Sequence, residues 1–477
     1  MEFRIKNVGV VKDSIIKLDG LTVITGLNNS GKSTIGKALY STNEAFSDIE
    51  TKKEKQLSRI LVRCVMEIQR ILNLDEVYKY INLDSVDGKY RIFFDGFATG
   101  RIRLTMHRKS DSEKIKDYFS NLKLFLDILS SDYLYSIAIK TKGDLPKKFI
   151  NYANNFDLAV EKAKIVISER MELFEDTNNI QFSKIAVSNL LMEEFKGQIY
   201  PIRGRDKDRL SKFTLKKNDE IAFEFTFSDK TGVTNVGKIF NKLFYNNTIL
   251  IDDAYVLDNN SNSRYFPYYL TDDNSFDYTH KSTLLKMIAN QQGGSALENF
   301  LNDKLYEEIR EEIDSVLPGN IIVKDGDYFY KSEETLEPIR FENLATGSKL
   351  FAILKALLKN GKINYDTMLI LDEPEAHLHP EWQNIMAELI VLLVKKLNVN
   401  VLLTTHSINF VLAIETFMHK YSISKLTNFY KTEWLDSDHY FVNYECKNNS
   451  LDEIYEKLNY SFDEMTLKKN NLIDNKE

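Results

Sequence analysis

The sequence predicts an α/β protein in which a parallel sheet with helical crossovers is interrupted by an inserted, mostly helical lobe. Three observations carry that reading. Apolar runs at 21–25, 368–371 and 399–403 are short and continuous, as strands covered on both faces must be, and segments of helical period at 348–358 and 380–396 alternate with the later ones. A glycine-rich turn, Gly26 to Thr34, follows the first of these strands and leads into a helix from Ile35. Between about Ser47 and Lys196 the pattern is instead helical, with apolar positions three and four apart. The chain therefore divides into a first part of the sheet domain at 1–46, a lobe at 47–200 and the remainder of the sheet domain at 201–477.

In chain order, Phe3–Val11 and Ser14–Leu18 read as short strands and Leu21–Thr25 as a buried one. Leu57–Leu72, Ile115–Leu129 and Phe156–Phe174 are the helices of the lobe, with a strand-like patch at Tyr90–Leu104 among them. Strand-like alternation returns over 209–258, including Ile221–Phe227 and Thr248–Ile251, before polar loops at 258–264 and 271–275. Helices at Lys281–Asn290 and Ala296–Val316 lead through a hairpin at Asn320–Lys331, turning around Asp325-Gly326-Asp327, into the helix at Ser348–Leu358. The Lys/Asn-rich stretch after Thr466 is expected to fray.

A chain of 477 residues, 43% of them hydrophobic, can bury roughly three domains' worth of core. Its 12% aromatic content excludes wholesale disorder. Lys plus Arg number 63 against 70 Asp plus Glu, and a net charge of -7 supplies no global attraction to nucleic acid or an anionic membrane. Any basic surface is therefore local. Arg101, Arg103, Arg108 and Lys109 form one candidate for DNA contact, and Arg203, Arg205, Lys207, Arg209 and Lys212 another, the second diluted by Asp206 and Asp208. Cys64 and Cys446 stand alone, which excludes a disulfide scaffold and any Cys-x-x-Cys site and fits a reducing interior. Charges at the N-terminus replace the apolar core of a signal peptide, and Ala387–Val394 is too short to span a bilayer. A cytoplasmic protein with no membrane association is expected.

Gly26-Leu27-Asn28-Asn29-Ser30-Gly31-Lys32-Ser33-Thr34 has the spacing G-x-x-x-x-G-K-[ST] between a strand and a helix. Glycines let successive N–H groups turn toward phosphate oxygens, the helix N-terminus adds positive potential, Lys32 reaches the terminal phosphates, and the Ser33 hydroxyl suits Mg²⁺. The run Met368–Leu371 ends in two adjacent carboxylates, Asp372 and Glu373, which a core strand has no structural reason to do. Asp372 suits the water shell of Mg²⁺, and Glu373 suits polarising the water that attacks a γ-phosphate. A third apolar strand delivers His406 to the same sheet edge, where it could sense that phosphate. His377 and His379, two apart, would project from different faces and do not make a paired metal site. Asp436-Ser437-Asp438 lacks an apolar strand before it and reads as a loop.

These residues resemble the ATP-binding-cassette ATPases, specifically the branch of SMC, RecF-like repair and OLD-family ATPases. The resemblance rests on Asn28 ahead of Ser30-Gly31-Lys32-Ser33 and on Asp372-Glu373-Pro374-Glu375-Ala376-His377-Leu378-His379-Pro380 followed by Gln383, and it covers roughly 1–45 and 335–420. It implies a P-loop ATPase head using ATP and Mg²⁺, with ATP sites shared between subunits of a homodimer or higher homo-oligomer. The family's signature motif would then be Leu344-Ala345-Thr346-Gly347-Ser348-Lys349, with Thr346, Gly347 and Ser348 near the phosphates of another subunit. Ala345 replaces the usual serine of Leu-Ser-Gly-Gly-Gln, which bears on the rate of hydrolysis. Residues 376–379 fall where the family places a dimer-contact loop, with His379 where aspartate is common, and Gln181 and Gln198 are the candidates for its lobe-linking glutamine.

The resemblance implies an ATP-hydrolysing switch or clamp, the ATPase subunit of an anti-phage defence system. A separate effector, a nuclease or toxin, is expected, because the 71 residues after His406 are too few for a Toprim nuclease. Two alternatives stay open: a DNA-repair ATPase of the SMC or RecF-like kind, and a non-hydrolysing protein in which ATP only holds a dimer together. The helical insert is too short for a long coiled coil and has no Cys-x-x-Cys hook, which counts against the first, and Ala345 supports the second.

Overall fold

The computed structural model describes residues 1–47, 49–99, 112–139, 145–176, 179–201, 210–228, 231–234, 236, 245, 247–258, 279–289, 307–324, 327–437 and 439–474. By chain segment it comprises two units: Met1–Ser47 with Ser183–Phe266 and Asp272–Glu477, and Asp48–Phe182 with Pro267–Thr271.

The first unit is built on one large sheet. Strands β1 (Glu2–Val8) and β2 (Val11–Lys17) form an antiparallel hairpin that pairs Val8 with Val11, so Val11 opens the second strand rather than closing the first. Asn7 and Gly9, with φ of 53° and 55°, make the reversal. Next come β3 (Leu21–Thr25), every residue of it buried, and α1 (Lys32–Phe46). The second unit holds α2 (Ile49–Leu72), α3 (Gly88–Thr99), α4 (Ser112–Ile128), α5 (Ser131–Ile137) and α6 (Lys147–Asp176). Helix α7 (Asn179–Glu194) leads back into the first unit and to β4 (Leu210–Lys217), β5 (Glu220–Ser228), β6 (Gly232–Thr234) and β7 (Asn247–Ile251). Then follow α8 (His280–Ala289), α9 (Glu307–Val316), β8 (Asn320–Lys324), β9 (Asp327–Lys331), β10 (Ile339–Arg340) and α10 (Thr346–Lys359). The chain continues through β11 (Thr367–Asp372), α11 (Pro380–Leu397), β12 (Asn400–Thr405), α12 (Ile408–Lys420), β13 (Thr427–Trp434), β14 (Val442–Cys446) and α13 (Asp452–Asp474).

The sheet order is β6-β5-β4-β1-β2-β14-β13-β3-β12-β11-β7, and β8, β9 and β10 form a small separate sheet. The run β13-β3-β12-β11-β7 is parallel throughout, as the sequence predicts. The other wing is largely antiparallel, because β1–β2 and β4–β5 return through turns too short for a crossover. Helix α11 explains the most apolar stretch of the chain: Leu389 to Val394 are all buried in the core of this unit. Each such side chain contributes about 1.5–3 kcal/mol by burial.

In the second unit, Tyr90–Leu104 is not strand-like over its described part. It lies in α3, where Phe93 and Phe97, four apart, both stack on Phe125 of α4 at 5.5 and 5.9 Å between ring centroids. Helical spacing of aromatics outweighed their strand preference.

The lobe boundary also shifts. Residues 183–200 belong with the sheet unit: the Gly9 N–H donates to the Ile199 carbonyl at 2.7 Å and the Val233 N–H to Ser188 Oγ at 2.9 Å. The stretch after Thr466 remains helical through Asp474, helped by the Lys468–Glu464 pair at 2.6 Å. The expected turn at 325–326, the polar loops at 259–264 and 271–275, and the helical start at 296–306 lie outside the described residues.

Candidate functional site

The C-terminal ends of β3, β11, β12 and β7 meet at one edge of the parallel sheet, where ligand sites of such sheets form. A cavity of about 510 Å³ opens there, lined by Asn28, Asn29, Gly31, Lys32, Ser33 and Thr34 from the turn after β3, and by Asp372 and Glu373 from the end of β11.

The turn is held by its surroundings. Gly31 adopts φ 76° immediately before α1, and its carbonyl accepts a 2.7 Å hydrogen bond from the buried hydroxyl of Tyr444, which burial keeps well above its usual pKa and therefore neutral. Thr432 Oγ1 donates to Ser30 Oγ at 3.0 Å, and Ser30 Oγ donates to the Leu27 carbonyl at 2.7 Å. Gly26 and Ser30 thus lie behind the cavity rather than in its wall. A methyl on Gly26 would sit 1.8 Å from Thr432 Oγ1. Gly26→Ala is therefore expected to cost about 1–3 kcal/mol of stability by overpacking and to weaken ATP binding by displacing the turn. Adding Thr432→Ala, which removes the colliding oxygen, should restore part of both, as read by thermal melting and calorimetry. Unchanged affinity in the single variant would show that the turn tolerates the shift.

Lys32 Nζ donates to the Leu27 carbonyl at 3.0 Å and lies 3.5 Å from Glu373 Oε1. The same Oε1 is 3.2 Å from His406 Nδ1, so one carboxylate oxygen joins the loop lysine to the histidine beyond β12. Glu373 has φ 51°, an uncommon conformation for glutamate, and its N–H donates to the Thr404 carbonyl at 3.1 Å. His377, at φ 64°, shows the same departure four residues on. Asp372 accepts a hydrogen bond from Thr404 Oγ1. Behind them Glu375 is buried; its Oε1 accepts from Thr405 Oγ1 and from the His406 N–H, and burial raises its pKa against the pull of those bonds.

The Ser33 hydroxyl and the Asp372 carboxylate line the cavity with Lys32, and oxygen donors of this kind match the preference of a hard cation such as Mg²⁺. The loop, the lysine and the start of α1 match a polyphosphate. The arrangement can therefore hold a nucleoside triphosphate with its cation and set a carboxylate beside the terminal phosphate.

A sequence profile described as the AAA ATPase domain matches residues 1–411. The chain belongs to the AAA ATPase domain family. Its fold is accordingly a P-loop ATPase head, α/β in class, with an insert that is mostly helical. No curated protein matches the chain. Among solved structures this AAA ATPase is similar to an SMC head bound to the C-winged helix domain of ScpA, at 10% identity and TM-score 0.41 over 95% of this chain and 98% of that one. It is also similar to the SMC head domain from Thermotoga maritima, at 9% identity and TM-score 0.35 over 94% and 98%. These superpositions are too loose to bear on function.

Of the residues expected near a shared site, only Thr346 lines the cavity, and it lines that of its own chain, with its Oγ1 2.9 Å from the Tyr255 hydroxyl. Gly347 is tucked under its own loop: a Cβ there would lie 3.2 Å from the His377 carbonyl and 3.3 Å from Trp382. Ser348 is buried in α10 and does not line the cavity. Ala376, His377 and Leu378, of the stretch expected at a dimer contact, line the same cavity, and His379 caps α11. Neither Gln181 nor Gln198 lines it.

Sequence reasoning missed Asp252, Asp253, Ala254 and Tyr255, which form the wall beyond β7. The signal was present: Thr248–Ile251 is an apolar strand ending in two carboxylates, the same pattern that marks Asp372 and Glu373.

Of the basic candidates, 101–109 and 203–209 lie outside the described residues, and Lys212 pairs with Glu224 at 3.0 Å. Asp436 accepts from the Tyr440 and Phe441 N–H groups in a turn after β13, while Asp438 lies outside the described residues. No cluster of three or more metal-ligating His, Cys, Asp or Glu side chains occurs among the described residues, and none of their helices is long and apolar enough to cross a membrane.

Proposed function

We propose that this AAA ATPase is an ATP-hydrolysing switch of the OLD-like, ABC-type class, which closes as a homodimer around ATP and acts on a separate effector, a nuclease or toxin, in anti-phage defence. The observation that carries the ATPase reading is the convergence of Lys32, Ser33, Asp372 and Glu373 on one cavity, with His406 on the Glu373 carboxylate. Asn28, Asn29, Gly31, Ser33 and Thr34 cradle the phosphates and Lys32 neutralises their terminal charge. Ser33 and Asp372 would hold Mg²⁺, which supplies further charge neutralisation on the phosphate oxygens. Glu373 accepts the proton of the attacking water, and His406, whose Nδ1 lies 3.2 Å from Glu373 Oε1, helps keep that carboxylate turned toward the cavity.

Closure is tested on Glu373→Gln protein, whose stalled site retains ATP. Light scattering at micromolar concentration should report a dimer with ATP-Mg²⁺ and a smaller species without it, and a strict monomer in both would overturn the shared site. Gly347→Asp, otherwise an obvious block to closure, is a poor probe because it collides first with the chain's own His377 carbonyl.

The effector reading is supported by the resemblance alone. It predicts a nuclease or toxin gene beside this one whose product changes activity when Glu373→Gln protein binds ATP. Recombination genes there, with binding to DNA ends, would replace it by a repair function. Ala345 favours one further reading, a dimer held by ATP without turnover. Absence of phosphate release from wild-type protein that binds ATP would select it.

A further inference from the structure

A buried polar trio reaches the cavity from behind and takes no part in the roles assigned above. Asp252 follows β7, one residue past the pairing of Ile251 with Leu371, so it stands beside Asp372 at the ends of neighbouring parallel strands. Both line the cavity, and carboxylates that share a site repel unless something compensates them. Asp252 Oδ1 is 2.8 Å from His280 Nε2, and its Oδ2 is 3.9 Å from Lys37 Nζ. On the other side of the imidazole, Nδ1 is 2.5 Å from Glu194 Oε2, while the His280 N–H donates to Glu194 Oε1 at 2.9 Å. Glu194 therefore grips His280 by ring and backbone together, and the Tyr40 ring meets the imidazole edge to face at 6.0 Å. The side chains of Glu194 and His280 are 2% and 8% exposed, against 16% for Asp252.

Both ring nitrogens face carboxylates, so the doubly protonated ring satisfies both. Burial alone would lower the His280 pKa, but the hydrogen bonds to Asp252 and Glu194 outweigh it and leave it raised; Asp252 is lowered by the same bond, against its own burial. A trio packed only for stability has no need to end in a cavity carboxylate. This one begins in the interior, at the end of α7, and stops at the wall that Lys32, Ser33 and Glu373 share.

We infer that Glu194 and His280 are positioning residues that hold Asp252 as a fixed anion in the nucleotide cavity, beside Asp253, Asp372 and Glu373, making ATP binding depend on a divalent cation. The inference rests on the reading of this cavity as an ATP site. Metal-free ATP brings about four negative charges toward Asp372, Glu373, Asp253 and Asp252, whereas its Mg²⁺ complex brings about two fewer, so each fixed anion penalises the free form more. Lys32 offsets part of this, Lys281 part of the charge on Asp253, and Lys37 part of the charge on Asp252 itself.

The test is the dissociation constant of ATP with Mg²⁺ and with EDTA, measured by calorimetry on the full chain, for wild type, Asp252→Asn and His280→Gln. Asp252→Asn keeps the shape and removes the charge; the ratio of the two constants should fall by about fivefold or more, the lower end of a typical coupling, chiefly through tighter metal-free binding. His280→Gln keeps one donor to a carboxylate but loses the fixed geometry, and should lower the ratio by less. An unchanged ratio in Asp252→Asn protein that binds ATP-Mg²⁺ normally would overturn the inference while leaving the ATP site intact. Wild-type protein that binds no nucleotide in either condition would overturn both. Loss of the cooperative melting transition in both variants would assign the trio to the core and overturn the positioning role.

Discussion

Lys32→Ala protein is expected to lose measurable ATP binding. Lys32 is 4% exposed, and its Nζ lies within reach of both the turn that would wrap the phosphates and the Glu373 carboxylate. Two charge-assisted hydrogen bonds to phosphate, at about 1.5–3 kcal/mol each, convert to at least about a hundredfold in affinity. A second effect has the same sign. Without the lysine, Glu373 loses its Lys32 ion pair, so the cavity turns more negative toward an anionic ligand. Calorimetry should therefore give no heat of binding at concentrations that saturate the wild type. Retained micromolar affinity would sink the assignment of this cavity. The melting temperature of the variant, measured alongside, separates loss of binding from loss of fold.

What the sequence made legible was local, and what it hid was assembled from afar. Leu21–Thr25, Thr367–Asp372 and Asn400–Thr405 announce themselves because strands buried on both faces must be continuously apolar, and the residues that end them inherit the sheet edge. Lys32 and Ser33 were readable from the G-x-x-x-x-G-K-[ST] spacing after one such strand, and Asp372 and Glu373 as paired carboxylates at the end of another. His280 was not: it opens a short helix with no motif around it, and its partners lie 28 and 86 residues away. Thr432 and Tyr444, which brace the turn from β13 and β14, were hidden likewise, since nothing about a threonine and a tyrosine in two late strands points to residues 26–31. The strand-like reading of Tyr90–Leu104 failed for a different reason. Aromatic composition favours strands, but Phe93 and Phe97 sit one helical turn apart, and the spacing decided.

Glu373→Gln is expected to slow ATP hydrolysis by about a hundredfold or more, the lower end of what a general base contributes, while ATP binding persists. Glutamine retains the size of the side chain, and the backbone contact from the 373 N–H to Thr404 does not depend on it. The site keeps its shape and loses a proton acceptor. Two carboxylates compete for that role. Glu375 is buried, with Oε1 engaged by Thr405 and the His406 N–H, and burial favours its neutral form. Glu373 lines the cavity, is 32% exposed, and has its Oε1 3.5 Å from Lys32 Nζ and 3.2 Å from His406 Nδ1. A base must be within reach of water, and of these two carboxylates only Glu373 lines the cavity. His406→Ala should consequently cost less than Glu373→Gln, because it frees the carboxylate without removing it. Phosphate release under saturating ATP-Mg²⁺ measures all of this in one assay. A turnover number unchanged in Glu373→Gln but abolished in Glu375→Gln would move the base to Glu375 and make Glu373 the partner that holds Lys32 in place.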